Sequence, residues 1–283
     1  MSTKKVILTG STGLIGKEAV LPLKNAGFEV ICLTSKNCDL FDRANVVNFF
    51  EKFKAEYLLH FAWFTGENYL SSEINKKYLD SSLFMLEQFA KNGGKRAVFA
   101  GTCFEYQFKD TPLKEIDPLE PKTLYAECKV EVNEKATEFC SKNGISFGWG
   151  RIFYVYGHNE GPTRLTASIL NKLKNNEIMQ VNYGQLEKDY IFTKDIAHAF
   201  TDFLDSGVTG VVNIGTGKAV SLEEYARTAA RILGKEHLLD IKHLETNQPQ
   251  KIVADISRLQ NEVGFVPKYD IYTGLKEIID AAE

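Results

Sequence analysis

Three glycines set between an apolar run and an amphipathic segment constrain this chain more than any other feature: Thr9-Gly10-Ser11-Thr12-Gly13-Leu14-Ile15-Gly16. Val6-Ile7-Leu8 before them predicts a buried strand, and Lys17 to Ala26 after them predicts a helix stopped by Gly27. A strand, a glycine turn and a helix N-terminus make a phosphate cradle. Glycine lets the backbone turn tightly and approach a pyrophosphate, and the helix end offers free N–H groups and a positive dipole end. The spacing is G-x-x-G-x-x-G, not the more familiar G-x-G-x-x-G, so placement in the first strand-to-helix turn carries the reading. Gly10, Thr12, Gly13, Leu14, Ile15 and Gly16 are the candidate dinucleotide contacts.

The second strand, Phe28 to Leu33, ends at Thr34-Ser35-Lys36. An acidic residue at this point would hydrogen-bond a ribose 2′-hydroxyl and select NAD. Two hydroxyls and a cation suit a 2′-phosphate instead, so NADP is expected, with NAD the alternative. Asp39-Leu40 follows what reads as another short strand, and Asp39 either meets an adenine amine or caps the helix that starts near Arg43. Further strands are predicted at 57–62, 96–100 and 145–155, and helices at 43–54, 71–92 and 124–143. His60 lies within a buried strand, where a satisfied core histidine is one reading.

This alternation predicts an α/β fold with a doubly wound parallel sheet. After Tyr156-Gly157 the pattern changes. Residues 158–187 and 216–283, with helices at 164–176, 222–233, 256–263 and 272–282, are expected to form a smaller, mostly helical C-terminal substrate lobe. Residues 1–157 and 188–215 are expected to form the NAD(P)-binding domain.

Other classes recede. A net charge of −3 gives no reason to expect nucleic acid as a partner. No run of about 20 apolar residues predicts a membrane span. Five scattered cysteines without a CxxC, and five histidines without an HExxH, suggest neither a disulfide frame nor a metal site, and fit a cytoplasmic protein.

Tyr125 and Lys129 stand four residues apart on one face of the 124–143 helix. Stabilising a tyrosine phenolate near neutral pH takes about 4 kcal/mol, which a neighbouring ammonium and an oxidised nicotinamide can supply. The Y-x-x-x-K spacing occurs three times, at Tyr125, Tyr190 and Tyr272. Only the first opens the helix following the strand that delivers Thr102. Thr102 to polarise a carbonyl, Tyr125 to move the proton and Lys129 to hold the nicotinamide ribose suit hydride transfer at a carbonyl.

Taken in order, these residues resemble the extended short-chain dehydrogenase/reductases of nucleotide sugars, a group of epimerases, dehydratases and 4-keto reductases. The resemblance continues through His60-Phe61-Ala62, Arg151 to Gly157, Lys188-Asp189-Tyr190 and Asn213-Ile214-Gly215. It implies a Rossmann-type fold, NAD(P), a nucleoside-diphosphate sugar, cofactor contacts from Phe61 and Ala62, and a homodimer built partly on the Tyr125 helix. Departures from the family narrow the reaction. In the 4,6-dehydratases Asp-Glu follows the catalytic Thr. Here Cys103-Phe104 follows it, and Glu105, if strand-borne, faces the other way. The cysteine expected of the 3,5-epimerising type is Phe104. Lys188 and the 247–251 stretch stand where arginines are usual, leaving Arg164 and Lys188 as phosphate contacts or as solvated charges. Trp63, Cys103 and Phe104 are either walls of the sugar pocket or core. NADPH-dependent 4-keto reduction for surface-polysaccharide synthesis is the expected function, NAD-dependent 4-epimerisation the alternative, and a non-catalytic NADP-binding protein a third reading.

Overall fold

The computed structural model describes residues 4–281. β1 (Lys4–Thr9) buries Val6, Ile7 and Leu8 completely. Val6 and Leu8 join one apolar cluster and Ile7 another, as period-two alternation requires of a strand covered on both faces. The chain continues through α1 (Gly16–Asn25), β2 (Phe28–Leu33), α2 (Arg43–Lys52), β3 (Tyr57–His60), α3 (Ile74–Lys91), β4 (Arg96–Thr102), α4 (Leu124–Asn143) and β5 (Ser146–Ile152). Next come β6 (Tyr154–Tyr156), α5 (Leu165–Lys174), β7 (Met179–Val181), β8 (Glu187–Lys188), β9 (Tyr190–Phe192), α6 (Thr193–Ser206) and β10 (Gly210–Ile214). β11 (Val220–Ser221), α7 (Leu222–Ile232), β12 (Leu239–Ile241), β13 (Lys251–Ile252) and α8 (Ile271–Asp280) complete it.

The main sheet has six parallel strands in the order β10-β5-β4-β3-β1-β2. From β1 the chain moves outward to β2 and then crosses back to β3 on the other side. That reversal opens a crevice at the carboxyl ends of β1 and β3, the usual ligand position in such sheets. α1 and α6 pack together, and α3 packs between α2 and α4. This is the Rossmann-type architecture that the alternation predicts.

A third apolar cluster joins Tyr156, Tyr190 and Phe192 to α5, α7 and α8. Ile252, Ala254, Ile256, Leu259 and Phe265 instead pack into the cluster of α6 and β10. The expected strand at 145–155 is two strands. The chain breaks at Phe153, whose N–H donates to the Ile214 carbonyl, and β6 leaves the sheet to pair with β9. The expected short strand before Asp39 is a turn, in which Asn37 N and Cys38 N donate to the Thr34 carbonyl. The expected helix at 256–263 contains a π-helical turn, Leu259–Val263. Among the described residues no helix is long and apolar enough to cross a membrane.

Candidate active site

The glycine turn is tight for steric reasons. Gly10 has φ +66°, and a Cβ there would lie 2.8 Å from Ala62 N. A Cβ on Gly16 would lie 2.1 Å from the Gly10 carbonyl oxygen. Only glycine fits either position. α1 then starts with no side chain capping its first N–H groups, which suits an anion.

From this turn a cavity of about 740 Å³ runs along the carboxyl ends of the strands. Gly10, Thr12, Gly13, Leu14, Ile15 and Gly16 line one end. Thr34, Ser35, Asp39 and Leu40 line its edge after β2, and Phe61, Ala62 and Trp63 line the stretch after β3. Thr102, Cys103, Phe104, Tyr125 and Lys129 line the wall after β4, with Arg164 and Lys188 across from the C-terminal segments. Lys36, next to Ser35, is exposed and does not line the cavity. The turn that places Thr34 is held by Asn37, whose Oδ1 accepts from Thr34 N at 2.8 Å and whose Nδ2 donates to the Cys32 carbonyl. Asp39 does not cap α2. Asp42 does, accepting from Ala44 N and Asn45 N.

α4 sets the chemical groups. Thr123 caps its N-terminus by accepting from Ala126 N, and Gly144 ends it at φ +66°. Tyr125 and Lys129 therefore share the inner face, both buried. Burial pushes the Tyr125 phenol above its ordinary range, and the nearby Thr102 hydroxyl opposes this by favouring ionisation. Lys129 Nζ donates to the Ala100 carbonyl at 2.8 Å and sits 3.8 Å from the centre of the Trp63 ring. Burial brings its ammonium down to about 7, with Glu105 pulling it upward.

Glu105 is not on a strand. It ends a short 3₁₀ turn, Cys103–Glu105, that Thr102 caps. Its carboxylate is fully buried and accepts from Thr102 N, Trp149 Nε1 and, at 2.6 Å, Arg151 Nε. It points into the sheet, not into the cavity. Cys103 is buried and lines the cavity, and burial pushes its thiol well above the ordinary range, which disfavours the thiolate. His60 is a core histidine, bonded to the Thr9 and Ser82 hydroxyls and brought down to about 3 by burial and by Lys129. Asp195 does not cap α6. Its Oδ2 accepts from Lys268 N and Tyr269 N and so ties the chain before α8 to α6.

Both candidate phosphate cations are already engaged. Arg164 donates to the Thr65 carbonyl at 2.9 Å and lies over the Tyr69 ring, bridging the cavity from α5. Lys188 donates to the Pro249 carbonyl at 3.1 Å, and burial lowers it to about 8. Sequence reasoning missed Tyr69, whose ring edge packs on Tyr125 at 5.1 Å, and Asn75, which bonds Trp63 Nε1 at 2.7 Å. Neither carries a motif, since one sits on a loop and the other at a helix start, and only the fold brings Tyr69 to Tyr125 and Asn75 to Trp63.

Comparison with known proteins agrees with this geometry. Residues 6–215 match the model of the NAD dependent epimerase/dehydratase family. Spore coat polysaccharide biosynthesis protein SpsK of Bacillus subtilis (strain 168) is 28% identical, with 82% of this chain and 80% of that protein aligned. The dTDP-4-dehydro-6-deoxyglucose reductase of Escherichia coli is 25% identical, over 97% of this chain and 96% of that one. Among solved structures, the UDP-glucose 4-epimerase of Thermotoga maritima with UDP-glucose has the same fold, with a TM-score of 0.87 at 22% identity over 98% of this chain and 99% of the other. The glycine turn, the sheet that carries it and the match over most of the chain lead to one conclusion: this protein belongs to the NAD dependent epimerase/dehydratase family.

Proposed function

We propose that this protein reduces the C4 keto group of a nucleotide-activated deoxysugar with NADPH. The observation that carries the reading is the convergence of Tyr125, Thr102 and Lys129 on one wall of the cavity that begins at the glycine turn. A dinucleotide fits that turn, because Gly10 and Gly16 leave no room for side chains and α1 is uncapped. When bound, its nicotinamide supplies the hydride. Thr102 holds the carbonyl oxygen, Tyr125 gives a proton to the developing alkoxide, and Lys129 stabilises the phenolate left behind. Trp63, Cys103 and Phe104 wall the sugar. Arg164 and Lys188 hold the diphosphate by exchanging their carbonyl partners for phosphate oxygens. Dehydration is disfavoured because no acid follows Thr102 and Glu105 is held by Arg151. The resemblance to SpsK supports polysaccharide synthesis as the setting, and a cytoplasmic homodimer is part of the same proposal.

A second reading, NAD-dependent 4-epimerisation, is favoured by one observation: Lys36, the cation expected at a 2′-phosphate, is exposed and does not line the cavity. The experiment is a titration of the purified protein with NADPH and NADH, with chromatography of any nucleotide that co-purifies. NADPH preference and an empty site support the reductase, whereas tightly held NAD moves the assignment to the epimerase. Failure to bind either overturns the reading of the glycine turn.

A further inference from the structure

Lys129 is a buried cation without a carboxylate. Among the described residues no Asp or Glu forms an ion pair with it, and its one carbonyl partner is Ala100. Glu105 is the carboxylate whose field reaches it, but that group is already bonded to Thr102 N, Trp149 Nε1 and Arg151. His60 on β3 faces Lys129 and, being buried and bonded at both ring nitrogens, is held neutral by its surroundings. The Cys128 thiol on α4 itself is a further titratable neighbour. What meets the ammonium instead is aromatic: the Trp63 ring at 3.8 Å, with Tyr125 and Trp149 each at 5.9 Å.

Trp63 is unusually well fixed for a residue just past a strand end. Its Nε1 donates to Asn75 Oδ1 at 2.7 Å. Asn75 is fully buried, and its Nδ2 donates to the Tyr69 and Ser72 carbonyls. The same indole packs edge-on against Tyr125, at 6.3 Å between ring centres. One rigid ring therefore touches both members of the Tyr/Lys pair, and Asn75 sets its angle.

We propose that Trp63 is a positioning residue, an aromatic platform that keeps the Lys129 ammonium charged and aimed at the cavity in place of the missing carboxylate. This deepens the proposed reaction and rests on it for the role of Lys129. A ring face attracts a cation by its quadrupole, most strongly where water is excluded, and indole offers the best face of the aromatic side chains. The sign of the effect separates this role from that of a plain wall. A wall only dries Lys129, so its removal would let water in and raise the lysine toward its ordinary range. A platform holds the cation, so replacing the ring with an apolar side chain of similar reach lowers it.

The test titrates Lys129 directly in the whole protein. Lysine labelled with ¹³C at Cε is followed by NMR against pH, with Lys129→Met identifying the resonance. Trp63→Leu and Trp63→Met remove the ring while keeping the site apolar, and Trp63→Phe keeps a smaller face. The titration of Lys129 is expected to fall by about one pH unit in the Leu and Met variants and by less in Phe. With a reducible 4-keto nucleotide sugar, the alkaline limb of kcat/KM is expected to move down by the same amount, and Trp63→Phe to restore most of it. Two apolar variants are used so that one that fails to fold does not decide the matter. A titration that stays put or rises in whichever of them folds overturns the assignment. Should the titration fall while no nucleotide sugar is reduced, the reaction is wrong and the platform stands. Reduction with an unmoved titration gives the opposite result.

Discussion

Tyr125 illustrates how far a single residue is from its chemistry in the free protein. Burial raises the phenol above its ordinary range, so the cost of its phenolate exceeds the roughly 4 kcal/mol that a solvated tyrosine needs near neutral pH. In the proposed reaction the Lys129 charge, the Thr102 hydroxyl and a bound nicotinamide together supply that stabilisation. Tyr125→Phe is therefore expected to cut kcat by about 10²- to 10⁴-fold with cofactor affinity intact, measured by steady-state kinetics and NADPH titration. Full turnover in that variant would remove Tyr125 from the mechanism. His60 gives a prediction about stability. Its folded value of about 3 lies below the usual 6.5, so between these limits the unfolded chain takes up a proton that the folded one refuses. Acidification across that window favours unfolding, by up to about 1.4 kcal/mol per pH unit. Urea denaturation at pH 7 and pH 5 should show the loss, and His60→Gln should flatten it. An equal slope in both proteins would mean that other groups carry the acid sensitivity. The histidine was legible as a core residue from its apolar strand. Its two hydroxyl partners, Thr9 and Ser82, were not, because they come from β1 and α3.

At the scale of elements, the sequence is most informative where local chemistry ends a segment. α4 spans the 124–143 that the pattern predicts, bounded by Thr123 and Gly144, since a hydroxyl cap and a left-handed glycine act within a few residues. Thr123→Ala is expected to cost about 1 kcal/mol in urea denaturation, and no loss would mean that packing alone fixes the helix start. The glycine turn behaves in the same local way. Gly16→Ala puts a Cβ against the Gly10 carbonyl and is expected to weaken dinucleotide binding at least about tenfold, roughly 1.4 kcal/mol, in a protein whose circular dichroism is unchanged. Undiminished affinity would show that the turn does not cradle the ligand. Glu105 shows where local reading fails. Counting two-residue alternation from Thr102 assumes a strand, but the chain turns into 3₁₀ helix there because Thr102 and Glu105 cap each other. Glu105 does not line the cavity, and for a different reason than strand alternation: Arg151, 46 residues later, captures its carboxylate.

For the whole molecule, the homodimer is a proposal that the surface of α3 and α4 qualifies. The exposed residues of these helices include Lys76, Lys77, Glu127, Glu131 and Glu134, and Glu131 pairs with Lys135 of its own helix. An interface on such a face loses affinity as salt screens its charges over about 10 Å at 0.1 M. Sedimentation at ~0.05 and ~0.5 M salt is expected to shift association toward monomer at the higher value. A dimer indifferent to salt would place the interface elsewhere. The cavity is also a property of the whole chain: Arg164 at the start of α5 reaches the Thr65 carbonyl, closing one side of it from the opposite part of the sequence.

The sequence by itself determined the sheet type, the glycine turn, the bounds of α4 and the Tyr125, Lys129 and Thr102 set. The first three follow from chemistry within a few residues or from apolar periodicity, which needs no partner to be read; the last is selected by its place among the strands and helices and by resemblance to a family. Only the tertiary structure decided what those groups face. It left Lys36 outside the cavity, bonded Glu105 to Arg151 and set Trp63 under the Lys129 ammonium. Such pairings join residues tens of positions apart, and their energies depend on burial and distance that exist only once the layers have packed.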